Sequence, residues 1–474
     1  MSQQKKKIII IGGGITGLSA AFYMQKEARE KGYPLEITLI ESSPRLGGKI
    51  QTLRKDGFIV ERGPDSFLAR KVSFGQLAED LGIEDQLVKN ATGQAYVLVG
   101  EELHPIPAGS VMGIPTEISP FVTSGLFSWS GKVRAAGDFV LPKSNIQGDQ
   151  SLGHFFRRRF GNEVVENLIE PLLSGIYAGD LDRLSLQATF PQFEKVEQEH
   201  RSLILGTKRT TPKSPTKAKK EGIFRTFRDG LETIVESLEQ ALTDVQLYKG
   251  VRAERLQQVG EQVEITLNTG STLQADGIIL TTPHGVTKSL LEEHGIMEEF
   301  EEMPSTSVAT VAMAFKEDQV QISKDGTGFV VSRNSDYSIT ACTWTHKKWP
   351  TTTPEGHVLM RGYVGRAGDE AIVDLSDKEI EKVVLDDLRK TTKIDGDPLF
   401  TVVTRWKEAM PQYVVGHQDR VQRVKADLAT KLPHVKLAGS SYEGLGLPDC
   451  VDQGKAMTRE LLDELFLKEV VVAK

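Results

Sequence analysis

Lys7-Ile-Ile-Ile-Ile11, running without a break into Gly12-Gly13-Gly14-Ile15-Thr16-Gly17, is the stretch that decides the fold of this chain. A short continuous apolar run is what a parallel strand buried on both faces requires. The glycines after it match G-x-G-x-x-G. The first permits a tight turn, the second lets backbone approach a pyrophosphate, and the third lets the next helix lie close to the strand. That helix is expected from about Ile15 to Lys31, its first amides at Ile15 and Thr16 aimed at phosphate charge. Residues 35–40 read as the second strand, and Glu41 at its end, followed by Ser42, is placed to accept hydrogen bonds from ribose hydroxyls. A glycine-rich turn alone signals only a sharp reversal. Here strand, glycines, helix, strand and acid come in the order a dinucleotide-binding unit needs.

Working outward, 474 residues are too many for one core and imply two or three domains. Two further regions carry the same α/β patterning. One starts near Phe224 and includes a helix after Gly230 and strands at 245–248 and Gly277–Leu280; the other starts near 402 and includes a strand at 435–437. A sheet assembled from three separated segments requires the intervening chain to form a second unit inserted into the first. The expected fold class is therefore α/β: a Rossmann-like nucleotide-binding domain from segments 1–71, 222–293 and 402–474, with an inserted α+β substrate domain and a mostly helical insertion. The substrate domain is expected from 72–96, 183–221 and the strand-rich 294–401. The helical insertion, 97–182, carries Phe155, Phe156, Phe160, Val164, Val165, Leu168 and Ile169 at helical spacing. The basic, proline-bearing stretch 207–220 reads as a mobile surface loop.

The composition excludes several function classes. A net charge of −7 gives no electrostatic reason to expect nucleic acid. Two cysteines, Cys342 and Cys450, build no disulfide framework and fit a reducing cytoplasm. The nine histidines show no metal-ligand spacing, so no metal site is expected. No run approaches the length of a membrane span, and the leading apolar run is too short for a signal peptide, which leaves a cytoplasmic protein with at most weak association at the membrane surface.

Which dinucleotide is bound follows from the flanks. After Glu41 come Arg45, Gly47, Gly48 and Lys49, a second glycine pair with basic residues that suits a cofactor reaching further into the protein. At the far end, the strand ending in Ala438-Gly439 precedes Gly444-Leu-Gly446-Leu447-Pro448-Asp449 and a helix expected from about Val451. A helix N-terminus there stabilises negative charge on the pyrimidine edge of a reduced flavin. Gly362-Tyr-Val-Gly365 has the wrong spacing for a second fingerprint, so the residues point to FAD, with electrons arriving from substrate and leaving to O2.

Several blocks together resemble the oxygen-dependent protoporphyrinogen/coproporphyrinogen oxidases of haem biosynthesis, within the amine-oxidase-like flavoprotein superfamily. They are Gly12 to Gly17, Glu41 to Lys49, Glu61-Arg-Gly-Pro-Asp-Ser-Phe67, Glu170-Pro-Leu-Leu-Ser-Gly-Ile-Tyr-Ala-Gly-Asp180, Arg405-Trp-Lys-Glu-Ala-Met-Pro-Gln-Tyr413 with Gly416-His417, and Gly444 to Gly454. The likeness covers essentially the whole chain and is strongest to the soluble Gram-positive type, which acts mainly on coproporphyrinogen III. It implies a cofactor site of Gly12, Gly13, Gly14, Ile15, Thr16, Gly17, Glu41, Ser42 and Lys49. Gly63, Pro64, Asp65 and Ser66 would lie along the flavin, Trp406 beside its ring, and Gly446, Leu447 and Pro448 at its pyrimidine edge. Ala253 stands where the family usually has a valine on adenine. Lys71 would meet a propionate, and Gly175 and Ile176 would lie against the tetrapyrrole. The implied partners are a tetrapyrrole, O2 and, for product handover, a ferrochelatase. The implied reaction removes hydride from porphyrinogen bridges in three two-electron steps and needs no metal or nucleophile. Arg157-Arg-Arg159 interrupts the apolar middle region of membrane-bound relatives and argues against deep insertion. Other superfamily chemistries, amine oxidation or carotenoid desaturation, and a non-catalytic binding protein on the same fold are the rivals.

Overall fold

The computed structural model describes residues 5–211 and 222–467. Strand β1 (Lys6–Ile11), helix α1 (Ile15–Lys31), strand β2 (Leu35–Glu41), strand β3 (Val245–Lys249), strand β4 (Gly277–Leu280), strand β5 (Val435–Leu437) and helix α2 (Leu447–Leu462) make the nucleotide-binding layer. The sheet is parallel, in the order β3-β2-β1-β4-β5, with Ile8 opposite both Ile37 and Gly277. Its first strand shows why the run Ile8 to Ile11 has no polar break. Ile8 and Ile10 enter one core with Leu18, Leu39, Leu238 and Leu461. Ile9 and Ile11 enter a second core on the opposite face with Ile40, Leu256, Leu280 and Val424. Helices α1 and α2 cross closely because Gly454 has no side chain: a Cβ there would lie 2.5 Å from Thr16 O.

The second layer is a seven-stranded sheet in the order Phe400–Pro411, Ser305–Lys316, His357–Val364, Ile339–Trp344, Gly328–Val331, Tyr96–Val99, Glu102–Pro105. All its pairs are antiparallel except Gly328–Val331 with Tyr96–Val99. Phe400–Pro411 thus belongs to this sheet rather than opening the third nucleotide-binding segment expected at 402, and Tyr96–Val99 and Glu102–Pro105 belong to it rather than to the helical insertion.

The helices begin at Ile118 and continue past the expected end at 182, through Pro191–His200 and Leu203–Thr210. Phe155, Phe156, Phe160, Phe190 and Phe193 form their shared core. Thr207 to Thr210, expected in a loop, close the last of these helices. Lys208 and Arg209 in its final turn suit the negative end of the helix dipole. The rest of that expected loop, 212–220, lies outside the described residues. Arg159, expected only to interrupt an apolar surface, is fully buried between Asp138 and Glu197.

Candidate functional site: a flavin cleft with a substrate wall

The turn after β1 has the geometry that its glycines predict. Gly12 has φ +111°, and a Cβ on Gly17 would lie 1.9 Å from Gly12 O, so strand and helix approach only because position 17 is glycine. Gly14 precedes α1 with no side-chain cap, and a Cβ there would meet nothing within 4 Å. The first amides of a helix have no intrahelical acceptor. Those of Ile15, Thr16 and Gly17 therefore sit beside open space with the positive end of the helix dipole behind them, which fits a diphosphate. Gly48 stacks over this turn, where its Cβ would lie 3.2 Å from Gly14 Cα, and Gly47 N–H donates to Gly13 O at 2.8 Å.

Glu41 accepts from Gly13 N–H at 2.6 Å and from Ser43 N–H at 2.7 Å, with the Ser42 hydroxyl at 3.3 Å. These bonds fix the carboxylate at the end of β2 and leave lone pairs for ribose hydroxyls. Ala253 is buried in the same core as Ile11 and Ile40.

Further along the cleft, Gly63 passes between Lys49 and Trp406. A Cβ on it would lie 1.8 Å from Lys49 O and 3.5 Å from Trp406 Cζ2. The indole Nε1–H of Trp406 donates to Arg62 O at 2.8 Å, and the Lys49 ammonium donates to Ala409 O. Burial lowers the Lys49 pKa. Pro64 and Ser66 are half-buried beside Asp65, whose carboxylate accepts from the Ser66 hydroxyl at 2.7 Å and pairs with Lys348 at 2.7 Å. Burial alone would raise the Asp65 carboxyl, but Lys348 and Arg361 outweigh it and hold the group well below the usual range. The Asp65 side chain is therefore committed to protein cations, and this stretch offers a ring only its backbone and the faces of its neighbours.

The opposite end is built from the start of α2, which begins at Leu447, four residues before the position expected from sequence. Pro448 in its first turn lacks only an N–H that would have had no acceptor. Asp449, given no role by sequence, binds Lys71 with both carboxylate oxygens 2.6 Å from Nζ. Lys71 thus reaches the N-terminal end of α2, next to Gly446, where a Cβ would lie 2.6 Å from Asp449 Oδ2. Gly444 has φ +131°, and its N–H donates to the Tyr413 hydroxyl at 2.9 Å; that hydroxyl donates in turn to Ser440 O at 2.7 Å. Tyr413 packs against Tyr177, ring centroids 5.7 Å apart. Tyr177 ends helix Glu170–Tyr177, on which Gly175 is exposed and Ile176 is 47 % exposed while Leu173 and Tyr177 are buried. This chain of contacts joins the expected substrate residues to the expected pyrimidine end.

His417 lies under that junction, its ring stacked on Tyr413 at 4.0 Å. Its Nε2–H donates to Tyr442 O at 2.7 Å, while Nδ1 is buried without a partner, so it is a hydrogen-bonded structural histidine. Burial lowers its pKa to about 4. Between the ordinary value near 6.5 and about 4 the unfolded chain binds a proton that the folded protein refuses, so stability falls as pH drops through that window. The full loss is about 3 kcal/mol. Melting temperatures from pH 7 to 4 should fall more steeply for wild type than for His417→Gln; equal slopes would refute this assignment.

A glycine turn open at a helix N-terminus, a carboxylate fixed at the end of β2, the Gly63–Trp406 pair and the start of α2 are the parts a flavin site needs. The chain belongs to the flavin-containing amine oxidoreductase family, whose profile matches residues 15–462. Within it, the chain is 58 % identical over 469 residues to the coproporphyrinogen III oxidase of Bacillus subtilis (strain 168), covering 98 % of this chain and 100 % of that one. It is 44 % identical over 468 residues to the coproporphyrinogen III oxidase of Staphylococcus aureus (strain NCTC 8325 / PS 47), covering 97 % and 100 %. A crystal structure described as a protoporphyrinogen oxidase from Exiguobacterium sp. 255-15 superposes with a TM-score of 0.88 at 39 % identity, over 97 % of this chain and 99 % of that chain. Among the described residues no helix is long and apolar enough to cross a membrane.

Proposed function

We propose that this chain is an FAD-dependent oxidase that converts coproporphyrinogen III to coproporphyrin III, removing six hydrogens and reducing three O2 to three H2O2, and that accepts protoporphyrinogen IX as well. The observation that carries it is the full-length 58 % identity to a relative of that name. When bound, FAD supplies the two-electron acceptor for each step and passes the electrons to O2.

The chain's own residues bind and orient. The amides of Ile15, Thr16 and Gly17 would hold the diphosphate, and Glu41 would hold the ribose. Gly63 and Trp406 would carry the ring, and the N-terminal end of α2 would stabilise negative charge developing on it. Ile176 offers the tetrapyrrole an apolar wall. Lys71, oriented by both carboxylate oxygens of Asp449, has one further N–H donor for a propionate. Hydride loss from a methylene bridge leaves a cation delocalised over the flanking pyrroles, so no side chain is required as a nucleophile or obligatory base. What the site must supply is position.

The test is direct. Coproporphyrinogen III added anaerobically to the yellow protein should bleach the flavin absorbance, and air should then yield coproporphyrin with peroxide in threefold amount. If both porphyrinogens leave the flavin oxidised while a primary amine bleaches it, the chain performs the other chemistry of its superfamily.

A further inference from the structure

A small pocket of about 20 Å³ is lined by Glu61, Asp65, Thr345, Trp349 and Arg361, among others. That is room for one water molecule. Glu61 is held at one side: one oxygen accepts from Leu231 N–H at 2.6 Å and the other from the Thr52 hydroxyl at 2.9 Å. Gly230, φ +96°, allows this approach, since a Cβ there would lie 3.1 Å from Glu61 Oε1 and 2.4 Å from Thr52 Cγ2. Arg361, 4 % exposed on strand His357–Val364, sends one terminal nitrogen to Gly63 O. Its Nε and the Thr345 hydroxyl oxygen are both buried without a partner. A buried N–H and a buried hydroxyl left unmatched in a protein interior are costly, and a water in the cavity would satisfy both.

We propose that Arg361, tied through one buried water to Thr345 and Glu61, is a positioning residue for the cofactor: it fixes the Gly63 carbonyl and so the backbone that carries the ring. The inference rests on the flavin reading above. Arg361 acts on the ring only through the Gly63 backbone, and none of these residues belongs to the glycine turn or the substrate wall. The charged groups facing Glu61 are Arg361 and Asp65, the latter neutralised by Lys348; Glu232, paired with Arg45, lies beyond Thr52. Burial raises the Glu61 pKa to about 7, while the charge of Arg361 opposes that rise.

The experiment uses FAD-reconstituted wild type, Arg361→Met, Arg361→Lys and Glu61→Gln, reading FAD affinity and the flavin midpoint potential from pH 6 to 8. Loss of a charge-assisted bond to the floor should weaken FAD binding in Arg361→Met on the order of tenfold. Its potential should also fall, because a cation near the ring is gone. Arg361→Lys keeps the charge but not the fork and should sit between the two. Glu61→Gln should fold, retain FAD and lose the extra pH dependence that wild type shows around pH 7. If Arg361→Met does not fold, Arg361→Lys and Glu61→Gln decide the matter on the same readouts. Variants that match wild type in affinity and potential at every pH would overturn this inference alone. Wild-type protein that takes up no FAD would overturn the flavin reading itself.

Discussion

Gly17→Ala should yield colourless protein. A Cβ at position 17 would stand 1.9 Å from Gly12 O and 2.8 Å from Thr281 Oγ1. Neither neighbour can retreat cheaply: Gly12 O is backbone at the end of a central strand, and the Thr281 hydroxyl is engaged with Ile11 O at 3.0 Å and Gly12 O at 2.9 Å. The start of α1 must therefore move by more than an ångström, carrying its amides off the diphosphate. Each hydrogen bond to a charged group is worth about 1.5–3 kcal/mol, so losing two costs on the order of 10³-fold in affinity.

The control is Gly14→Ala. Gly14 has φ −73° and ψ 177°, which alanine adopts freely, and its Cβ would enter open space rather than protein. The apoprotein should melt as wild type does, yet bind FAD much more weakly, because the new methyl occupies the diphosphate's place. FAD titration against melting temperature separates the two variants. Wild-type FAD affinity in Gly14→Ala would show that the cofactor does not lie over this turn.

The contrast between these glycines also shows what the sequence could and could not reveal. Gly12, Gly17, Glu41 and the strands around them were legible because their constraints are local: a turn, a close crossing, an acid at a strand end. Pairings across long stretches of chain left no such mark. Asp65 with Lys348 and Gly63 with Arg361 join segments almost 300 residues apart, and nothing beside Asp65 distinguishes a cofactor contact from an ion pair. The start of α2 lies at Leu447 rather than near Val451, because the first helical turn tolerates Pro448, whose missing N–H would have had no acceptor there. Thr207 to Thr210 were read as loop from basic composition that equally suits a helix C-terminus. Asp449 was in view beside Pro448 but silent, since its role depends on Lys71 arriving from 378 residues away.

The same blindness concealed the strongest electrostatic commitment of the helical unit, and it sets the second large effect: Arg159→Met should destabilise the protein by about 3–5 kcal/mol. Arg159, Asp138 and Glu197 are all 0 % exposed. The guanidinium donates from Nε to Glu197 Oε1 at 2.6 Å, from one terminal nitrogen to Asp138 Oδ1 at 3.3 Å, and from the other to Pro142 O at 2.9 Å and again to Glu197. Asp138 also accepts from Leu203 N–H at 3.2 Å, Ile204 N–H at 3.0 Å and the Ser202 hydroxyl at 2.6 Å, so it anchors the start of helix Leu203–Thr210. Those backbone donors keep Asp138 partly satisfied after the substitution. Glu197 is worse placed. It would retain Arg158 at 2.8 Å, but its Oε2 already lacks a hydrogen-bond partner, and a carboxylate stripped of its main cation in a dry interior is what makes a half-removed buried ion pair so costly. Removing both charged partners together avoids that penalty, so Arg159→Met/Glu197→Met should recover much of the loss despite deleting more bonds. Melting temperatures of the three proteins, taken with FAD bound and absent, check the order: wild type highest, the double variant between, Arg159→Met lowest. A double variant less stable than the single one would mean that the triad's value lies in its hydrogen bonds and not in charge balance.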